Sequence, residues 1–104
     1  MALPEDKFAP RGADVFFVSL GEAAFTAAMK LAARLRKAGL HVEADYEGRS
    51  LKAQMKEADR AKARFALIIG DDELSRGAAS LKDMKTGEQR DVEFGKIAEE
   101  VRKA

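Results

Sequence analysis

The feature that most constrains the fold is the apolar run Phe-Ala-Leu-Ile-Ile at residues 65–69, which Gly70 follows directly. A short run that combines aromatic and β-branched residues and ends at glycine is typical of a strand buried on both faces. A second run of this kind, Val-Phe-Phe-Val, occupies residues 15–18. We therefore expect a sheet that is covered on both sides, with residues 65–69 at its centre.

Two amphipathic segments separate these runs, and both are predicted to be helices. Ser19 and Glu22 have the spacing of a capping box, so the first helix is predicted to start at Ser19 and to stop at Gly39. Its apolar face is formed by Ala24, Ala28, Leu31 and Leu35. Residues 40–44 alternate apolar and polar side chains, which predicts a second, less buried strand.

Ser50 is predicted to cap the second helix. We expect its inward side chains to be those of Leu51, Met55 and Ala58. The opposite side carries a basic ridge at intervals of four, formed by Lys52, Lys56 and Arg60. Such a ridge is either a solvated helix face or a surface that meets phosphate groups.

The chain beyond Gly70 is predicted to change from parallel to antiparallel structure. Residues 71–74 form a loop or a helical turn, and a hairpin follows across residues 85–87. The hairpin strands are residues 78–84 and 88–94, and a helix closes the chain at residues 95–104.

Two strand–helix units followed by a third strand imply parallel pairing with right-handed crossovers. We therefore predict an α/β fold with three α/β/α layers and a mixed sheet of about five strands. Residues 14–104 form this domain, and residues 1–13, which hold both prolines, are interpreted as an N-terminal tail or linker.

The composition excludes several kinds of site. The chain has 104 residues and no cysteine, so it has room for one domain and cannot form a disulfide scaffold or a thiolate metal site. It has one histidine, His41, which leaves little for a metal centre or a catalytic triad. No apolar run approaches the roughly 20 residues that cross a bilayer, and we expect a cytoplasmic protein.

Nucleotide and metal chemistry are also disfavoured by the pattern. The first strand is followed by a single glycine, Gly21, and by an acid, so a glycine-rich phosphate loop is absent. Asp45 is then more simply a turn residue than a ribose ligand. The acids at residues 71–73 are interpreted as a solvated turn or helix start, and no metal site or catalytic residue is predicted. The formal net charge is only +1, so any binding of nucleic acid must use one local face.

Three stretches, in order, resemble one family. Residues 48–54, Gly-Arg-Ser-Leu-Lys-Ala-Gln, are similar to the "Gly-x-Ser-Leu-Lys-x-Gln" run of class IIa aminoacyl-tRNA synthetases. Residues 70–73 resemble that family's "Gly-Glu-x-Glu", and residues 81–89 resemble the "Leu-Lys-Asp-Leu…Thr-Gly-Glu-Gln" hairpin of its histidyl members. The resemblance covers about residues 13–94 and is to the C-terminal anticodon-binding domain of histidyl-tRNA synthetases.

This resemblance implies a domain that binds histidine tRNA and reads its GUG anticodon. Unpaired bases are read at their edges by donors, acceptors and aromatic rings, without a general base. The implied base-reading residues are Tyr46, Arg49, Ser50, Gln54, Glu73, Lys82 and Asp83. The implied contacts to the RNA backbone are Lys52, Lys56 and Arg60.

The resemblance also implies what the chain does not carry. The class II catalytic motifs that hold ATP and Mg²⁺ are not in this sequence, so no cofactor is expected on the domain. The resemblance separately implies that the parent enzyme is a homodimer. The chain is then either a fragment of a histidine–tRNA ligase or a free-standing relative. The alternative is a domain of a non-catalytic synthetase paralogue with a regulatory or dimerisation role. A small flavodoxin-like enzyme is a more distant option, which the missing phosphate loop disfavours.

Overall fold

The computed structural model describes residues 12–45 and 50–103, which form one five-stranded mixed sheet with helices packed on it. Its strands are β1 Val15–Ser19, β2 Val42–Ala44, β3 Phe65–Ile69, β4 Ala78–Asp83 and β5 Gln89–Glu93. The order across the sheet is β2-β1-β3-β4-β5. β1 pairs in parallel with β2 and β3, whereas β4 is antiparallel to β3 and β5. The predicted mixed sheet, its hairpin and the central position of β3 are confirmed.

Four helices and one short 3₁₀ segment complete the described chain. They are α1 Glu22–Lys37, α2 Leu51–Arg60, α3 Asp71–Arg76, the 3₁₀ segment Phe94–Lys96 and α4 Ile97–Lys103. The segment predicted as a loop or helical turn after Gly70 is the short helix α3. Within the described ranges no helix combines the length and the apolar character that crossing a membrane requires.

One face of the sheet is covered by α1, α3 and α4. The period of two along a strand sends Val15 and Phe17 to this face, where they meet Leu67 of β3. α1 contributes the predicted apolar stripe, and α4 contributes Ile97 and Val101. These residues form the larger of the two cores, and we call this side of the sheet the covered face.

The other face of the sheet packs against α2. Phe16 and Val18 of β1 and Ala66 of β3 form a smaller apolar cluster with Ala58. Among residues 12–45 and 50–103, α2 is the only helix whose side chains join this cluster. The helices thus lie on both sides of the sheet, which confirms the three predicted layers. Ala13, which was assigned to the tail, is buried, and its carbonyl accepts a 2.9 Å hydrogen bond from the Arg64 N–H.

The predicted start of α1 is wrong, although its predicted stop is confirmed. Ser19 belongs to β1, and α1 begins at Glu22 after Gly21, which has a φ of +106°. Ser19 is the last residue of β1 because the backbone of Ser19 is buried and hydrogen-bonded there. The Ser19 hydroxyl therefore does not cap the helix. Gly39 lies beyond the last turn with a φ of +92°, a conformation that glycine adopts without steric cost.

The cap of α2 is confirmed, but one of its predicted inward residues is wrong. The Ser50 hydroxyl accepts a 3.2 Å hydrogen bond from the Ala53 N–H. Leu51 is 43% exposed, because the buried positions of α2 are those of Gln54 and Ala58. The helix therefore turns a polar amide, rather than its first leucine, towards the end of β1.

Candidate nucleic-acid interface

Beyond α2, the second face of the sheet carries a polar strip across β3, β4 and β5. Strand register places Ile68 beside Ser80, Ser80 beside Asp91, and Lys82 beside Gln89. Because directly paired residues share a face, these side chains lie on the side that holds α2 and away from the covered face. We call this strip, formed by Ile68, Ser80, Lys82, Gln89 and Asp91, the open face.

Two side chains of the open face are joined by a short hydrogen bond. The Gln89 Nε2 donates to the Ser80 Oγ at 2.6 Å. Ser80 is only 6% exposed, whereas Gln89 is exposed, so a buried hydroxyl holds an amide at the surface. Lys82 is half-buried beside this pair, and among the described residues its ammonium has no hydrogen-bond or ion-pair partner.

The basic ridge of α2 faces solvent. Lys52, Lys56 and Arg60 are all exposed. With about 100° between successive helical residues, the ridge points away from the buried positions Gln54 and Ala58. Arg60 is also paired at 3.0 Å with Glu57 of the same helix. The ridge is thus accessible to phosphate groups, and it is not part of the open face of the sheet.

Gln54 has a structural position in this fold. Its side chain is fully buried, its Oε1 accepts from the Ser19 N–H at 3.0 Å, and its Nε2 donates to the Ser19 carbonyl at 2.9 Å. The amide therefore continues the hydrogen bonding of β1 beyond its paired length and fixes α2 against it. None of its surface is presented to a partner in this conformation.

Glu73 was expected to be exposed, and that expectation is wrong. Its side chain is 19% exposed, and its Oε1 accepts a 2.8 Å hydrogen bond from the Gly70 N–H. The other oxygen lies 3.4 Å from an Arg76 nitrogen, and Arg76 also reaches Asp91 at 3.4 Å. The carboxylate therefore satisfies an N–H at the start of α3 and connects this helix to β5.

Asp83 shapes the turn between β4 and β5. Its Oδ1 accepts hydrogen bonds from the N–H groups of Lys85 at 2.8 Å and Thr86 at 3.1 Å. The Thr86 hydroxyl in turn accepts from the Glu88 N–H at 3.2 Å. Gly87 has a φ of +85°, which closes the turn. The Asp-x-x-Thr-Gly motif of this hairpin is thus explained by the backbone N–H groups of the turn, from which its side chains accept hydrogen bonds.

The residues predicted to read RNA fall into two groups rather than one. Ser50, Gln54 and Glu73 lie near the carboxyl ends of β1 and β3, where Ser19 pairs with Ile69. Lys82 and Asp83 lie near the opposite end of β3, because Asp83 pairs with Phe65. Tyr46 and Arg49 lie outside the described residues.

Sequence reasoning missed Ser80 and Asp91 and noted Gln89 only as part of a motif. The signal was present in the period of two, since Ser80 and Lys82 share a face of β4 and Gln89 and Asp91 share that face of β5. The sequence does not show that, among the described elements, no helix covers this part of the sheet.

A pocket of about 470 Å³ opens at the hairpin end and shares Gln89 with the open face; its lining residues are Phe65, Leu81, Asp83, Glu88, Gln89 and Arg90. The Arg90 guanidinium is paired with Glu100 of α4 at 2.7 Å, so its charge is largely compensated. No three His, Asp or Glu side chains cluster as metal ligands within residues 12–45 and 50–103. His41 instead lies 2.9 Å from Glu43 on the edge strand.

The sequence profile of the family described as "Anticodon binding domain" matches residues 14–104. The chain belongs to the anticodon binding domain family. Its domain is 50% identical over 88 residues to a histidine–tRNA ligase of Geobacillus thermodenitrificans, which covers 85% of this chain and 21% of the relative. It is 56% identical over 79 residues to histidine–tRNA ligase 2 of Bacillus cereus, with coverages of 76% and 19%.

Solved structures agree with this assignment of the anticodon-binding domain. The apo histidyl-tRNA synthetase of S. aureus superposes with a TM-score of 0.84 at 36% identity, over 97% of this chain and 27% of that one. The histidyl-tRNA synthetase of Nostoc superposes with a TM-score of 0.83 at 37% identity, over 90% and 23%. The resemblance to the histidyl members is therefore confirmed. The chain spans about a fifth of the length of the curated relatives it matches.

Proposed function

We propose that this anticodon-binding domain binds the anticodon stem-loop of histidine tRNA and thereby contributes to tRNA selection for histidine–tRNA ligation. The observation that carries the proposal is the family match over residues 14–104 together with close relatives that are histidine–tRNA ligases. The regulatory or dimerisation alternative receives no support from these relatives.

The geometry of the domain suits an unpaired loop of RNA. Anticodon bases are single-stranded, so they can be splayed onto a polar surface and read at their edges. The open face presents an exposed amide, an exposed carboxylate and a half-buried lysine within one strip of the sheet. With a net charge of only +1, the attraction to phosphate must come from local groups such as the ridge of α2.

The roles of individual residues follow from what each side chain is free to do. Lys52, Lys56 and Arg60 are assigned to phosphate contacts because they are exposed and cationic. Lys82 is assigned to base reading because its ammonium is accessible and unpaired among the described residues.

Three further base-reading assignments carry a structural cost. Gln54 would have to leave the Ser19 backbone, Glu73 the Gly70 N–H, and Asp83 the hairpin turn. A contact from Ser50 is compatible with its cap, since a hydroxyl that accepts one hydrogen bond can still donate another. Arg49 and Tyr46 keep their proposed roles in base contact and stacking.

Aminoacylation itself is assigned to other parts of a larger enzyme. We propose that ATP, Mg²⁺ and histidine bind a catalytic domain outside this sequence, and that the complete enzyme is a cytoplasmic homodimer. The 104-residue chain should then show no histidine-dependent exchange of pyrophosphate into ATP. Exchange activity in a preparation free of host enzyme would contradict this division of labour.

The central test compares two RNAs at one fixed salt concentration. The 104-residue chain is titrated against histidine tRNA and against the same tRNA with its GUG anticodon replaced. We expect weak binding that favours the GUG form and that weakens as salt rises. Equal affinity for both tRNAs would reduce the domain to a backbone binder, and no binding to either would contradict the proposed function.

A further inference from the structure

The amide of Gln89 is an exposed side chain of the open face that a buried neighbour holds in place. Its Nε2 donates to the buried Ser80 hydroxyl at 2.6 Å, which orients the carboxamide and leaves Oε1 as an acceptor directed away from that bond. An amide that is free to rotate offers a donor or an acceptor with equal ease. In this structure the Ser80 hydroxyl accepts from Nε2, so Oε1 is the amide atom that remains to accept a hydrogen bond.

Lys82 supplies the complementary group. It is the direct cross-strand partner of Gln89, so the two Cβ atoms lie about 4.5–5.5 Å apart on the same face. Its ammonium can only donate hydrogen bonds, and among the described residues no acceptor occupies it. The pair therefore presents an acceptor and a donor from directly paired positions on the same face of the sheet.

We propose that Ser80, Gln89 and Lys82 form a reading site for one unpaired keto base, guanine or uracil. Gln89 and Lys82 contact the base, and Ser80 is a positioning residue that acts through Gln89. The inference rests on the proposed function and deepens it, since it names residues that select the base rather than attract the RNA.

The selectivity follows from the edges of the bases. Guanine and uracil each carry a ring N–H beside a carbonyl oxygen. The Gln89 Oε1 accepts from that N–H, and the Lys82 ammonium donates to that oxygen. Adenine and cytosine carry a ring nitrogen acceptor beside an amino donor, so in the orientation that places the ring nitrogen at Gln89 both of their groups oppose the polarity of the site. The discrimination expected from a good bidentate contact is about tenfold.

The protein side of the test uses single variants of the full 104-residue chain and the synthetic anticodon stem-loop of histidine tRNA. Gln89→Met and Lys82→Met are each expected to lower affinity for the GUG loop by about tenfold and to bring it close to that of a loop in which adenine replaces one keto base. Lys30→Met on α1 removes the same charge from the far side of the domain, and it should leave this discrimination unchanged.

The role of Ser80 is tested by a double-mutant cycle. Ser80→Ala should reduce discrimination in the wild-type background and have no further effect in the Gln89→Met background. A Ser80 that is only structural would lower the melting temperature equally in both backgrounds and leave base preference intact. Equal losses of discrimination in the two backgrounds would overturn the positioning role.

The RNA side of the test does not depend on whether a variant folds. Wild-type chain is titrated with stem-loops that carry N1-methylguanine or N3-methyluridine at one anticodon position at a time. Blocking the ring N–H at the position that meets Gln89 should weaken binding about tenfold, and methylation elsewhere should matter less.

The results separate the two proposals. If the wild type prefers the GUG loop but no methylated base and no variant reduces that preference, the reading site is wrong while the proposed function stands. If the wild type shows no preference between the GUG and replaced anticodons, the proposed role in tRNA selection fails and the domain is a backbone binder.

Discussion

The covered and open faces of the sheet use the same strands in opposite ways. On the covered face, Phe17, Leu67 and Leu81 are almost completely buried beneath α1 and α4. On the open face the corresponding positions of β4 and β5 are Ser80, Lys82 and Gln89, and among the described residues no helix lies over them. Successive residues of one strand therefore alternate between the buried core and the polar open face.

This difference separates the residues that stabilise the domain from those that we propose to bind RNA. A chain of 104 residues has material for one main core, and the covered face contains it. The open face can then keep polar groups accessible, because the fold does not depend on burying them. The residues of the proposed reading site lie on strands instead of on a loop, which limits the side-chain freedom that RNA binding would cost.

The largest effect should come from the covered face. Leu67→Ala is expected to reduce the free energy of unfolding by about 2–5 kcal/mol, because it leaves a cavity in the main core. Urea denaturation followed by circular dichroism measures the change. Ile68→Ala, one residue along but half-buried towards the open face, is the matched control and should cost much less. Equal losses of unfolding free energy would mean that the two faces contribute equally to stability, which would contradict the contrast between them.

The next effect lies where α2 joins β1. Gln54→Leu keeps the approximate size of the side chain but leaves the buried Ser19 N–H and carbonyl without this partner. We expect a loss of about 1–3 kcal/mol in unfolding free energy. Affinity for tRNA, measured where the variant is fully folded, should match the wild type. A selective loss of affinity for the GUG anticodon there would give Gln54 a base-reading role as well.

A smaller effect is expected at the start of α3. Glu73→Gln keeps an acceptor for the Gly70 N–H but removes the charge that favours a helix N-terminus and the nearby Arg76. The expected loss is about 0.3–1 kcal/mol, seen as a slightly lower melting temperature. Asp72→Asn, in the same turn but exposed, is the control for charge alone. If Glu73→Gln instead abolishes preference for GUG at unchanged stability, Glu73 reads a base.

The smallest effect on stability should come from the ridge of α2. Replacing Lys52 and Lys56 with glutamine is expected to change the unfolding free energy by less than about 0.5 kcal/mol, because both side chains are exposed. Binding to every tRNA should weaken alike, and the slope of log affinity against log salt should fall by about 1.4–1.8. The same change at Lys30 and Lys37 of α1 is the control. A loss confined to histidine tRNA would move base reading onto this ridge.

Much of the fold was predictable because the signals are local. The apolar runs, the alternation in the hairpin and the serine before α2 each specify backbone structure within a few residues. Predictions failed where a distant contact decided between two local choices. Ser19 has the spacing of a helix cap, yet pairing with Ile69 and bonding to Gln54 keep it in β1.

The candidate site was harder to predict for the same reason. Glu73 and Asp83 have the chemistry of base-reading groups, and the sequence does not show that neighbouring N–H groups already occupy their carboxylates. Ser80 was not predicted as a site residue, because a single serine in a strand carries no local signal of function. Its importance comes from a partner nine residues away, across the hairpin.

The sequence by itself determined which segments become strands and helices and which family the domain resembles, since periodicity and short motifs are written along the chain. Only the tertiary structure decided which face of β4 and β5 has no helix over it among the described residues, and which polar groups are already engaged. The physical reason is that burial and hydrogen bonding belong to pairs of residues. Lys82 and Gln54 are both polar, but one lies on an open sheet with no partner among the described residues and the other completes the buried end of a strand.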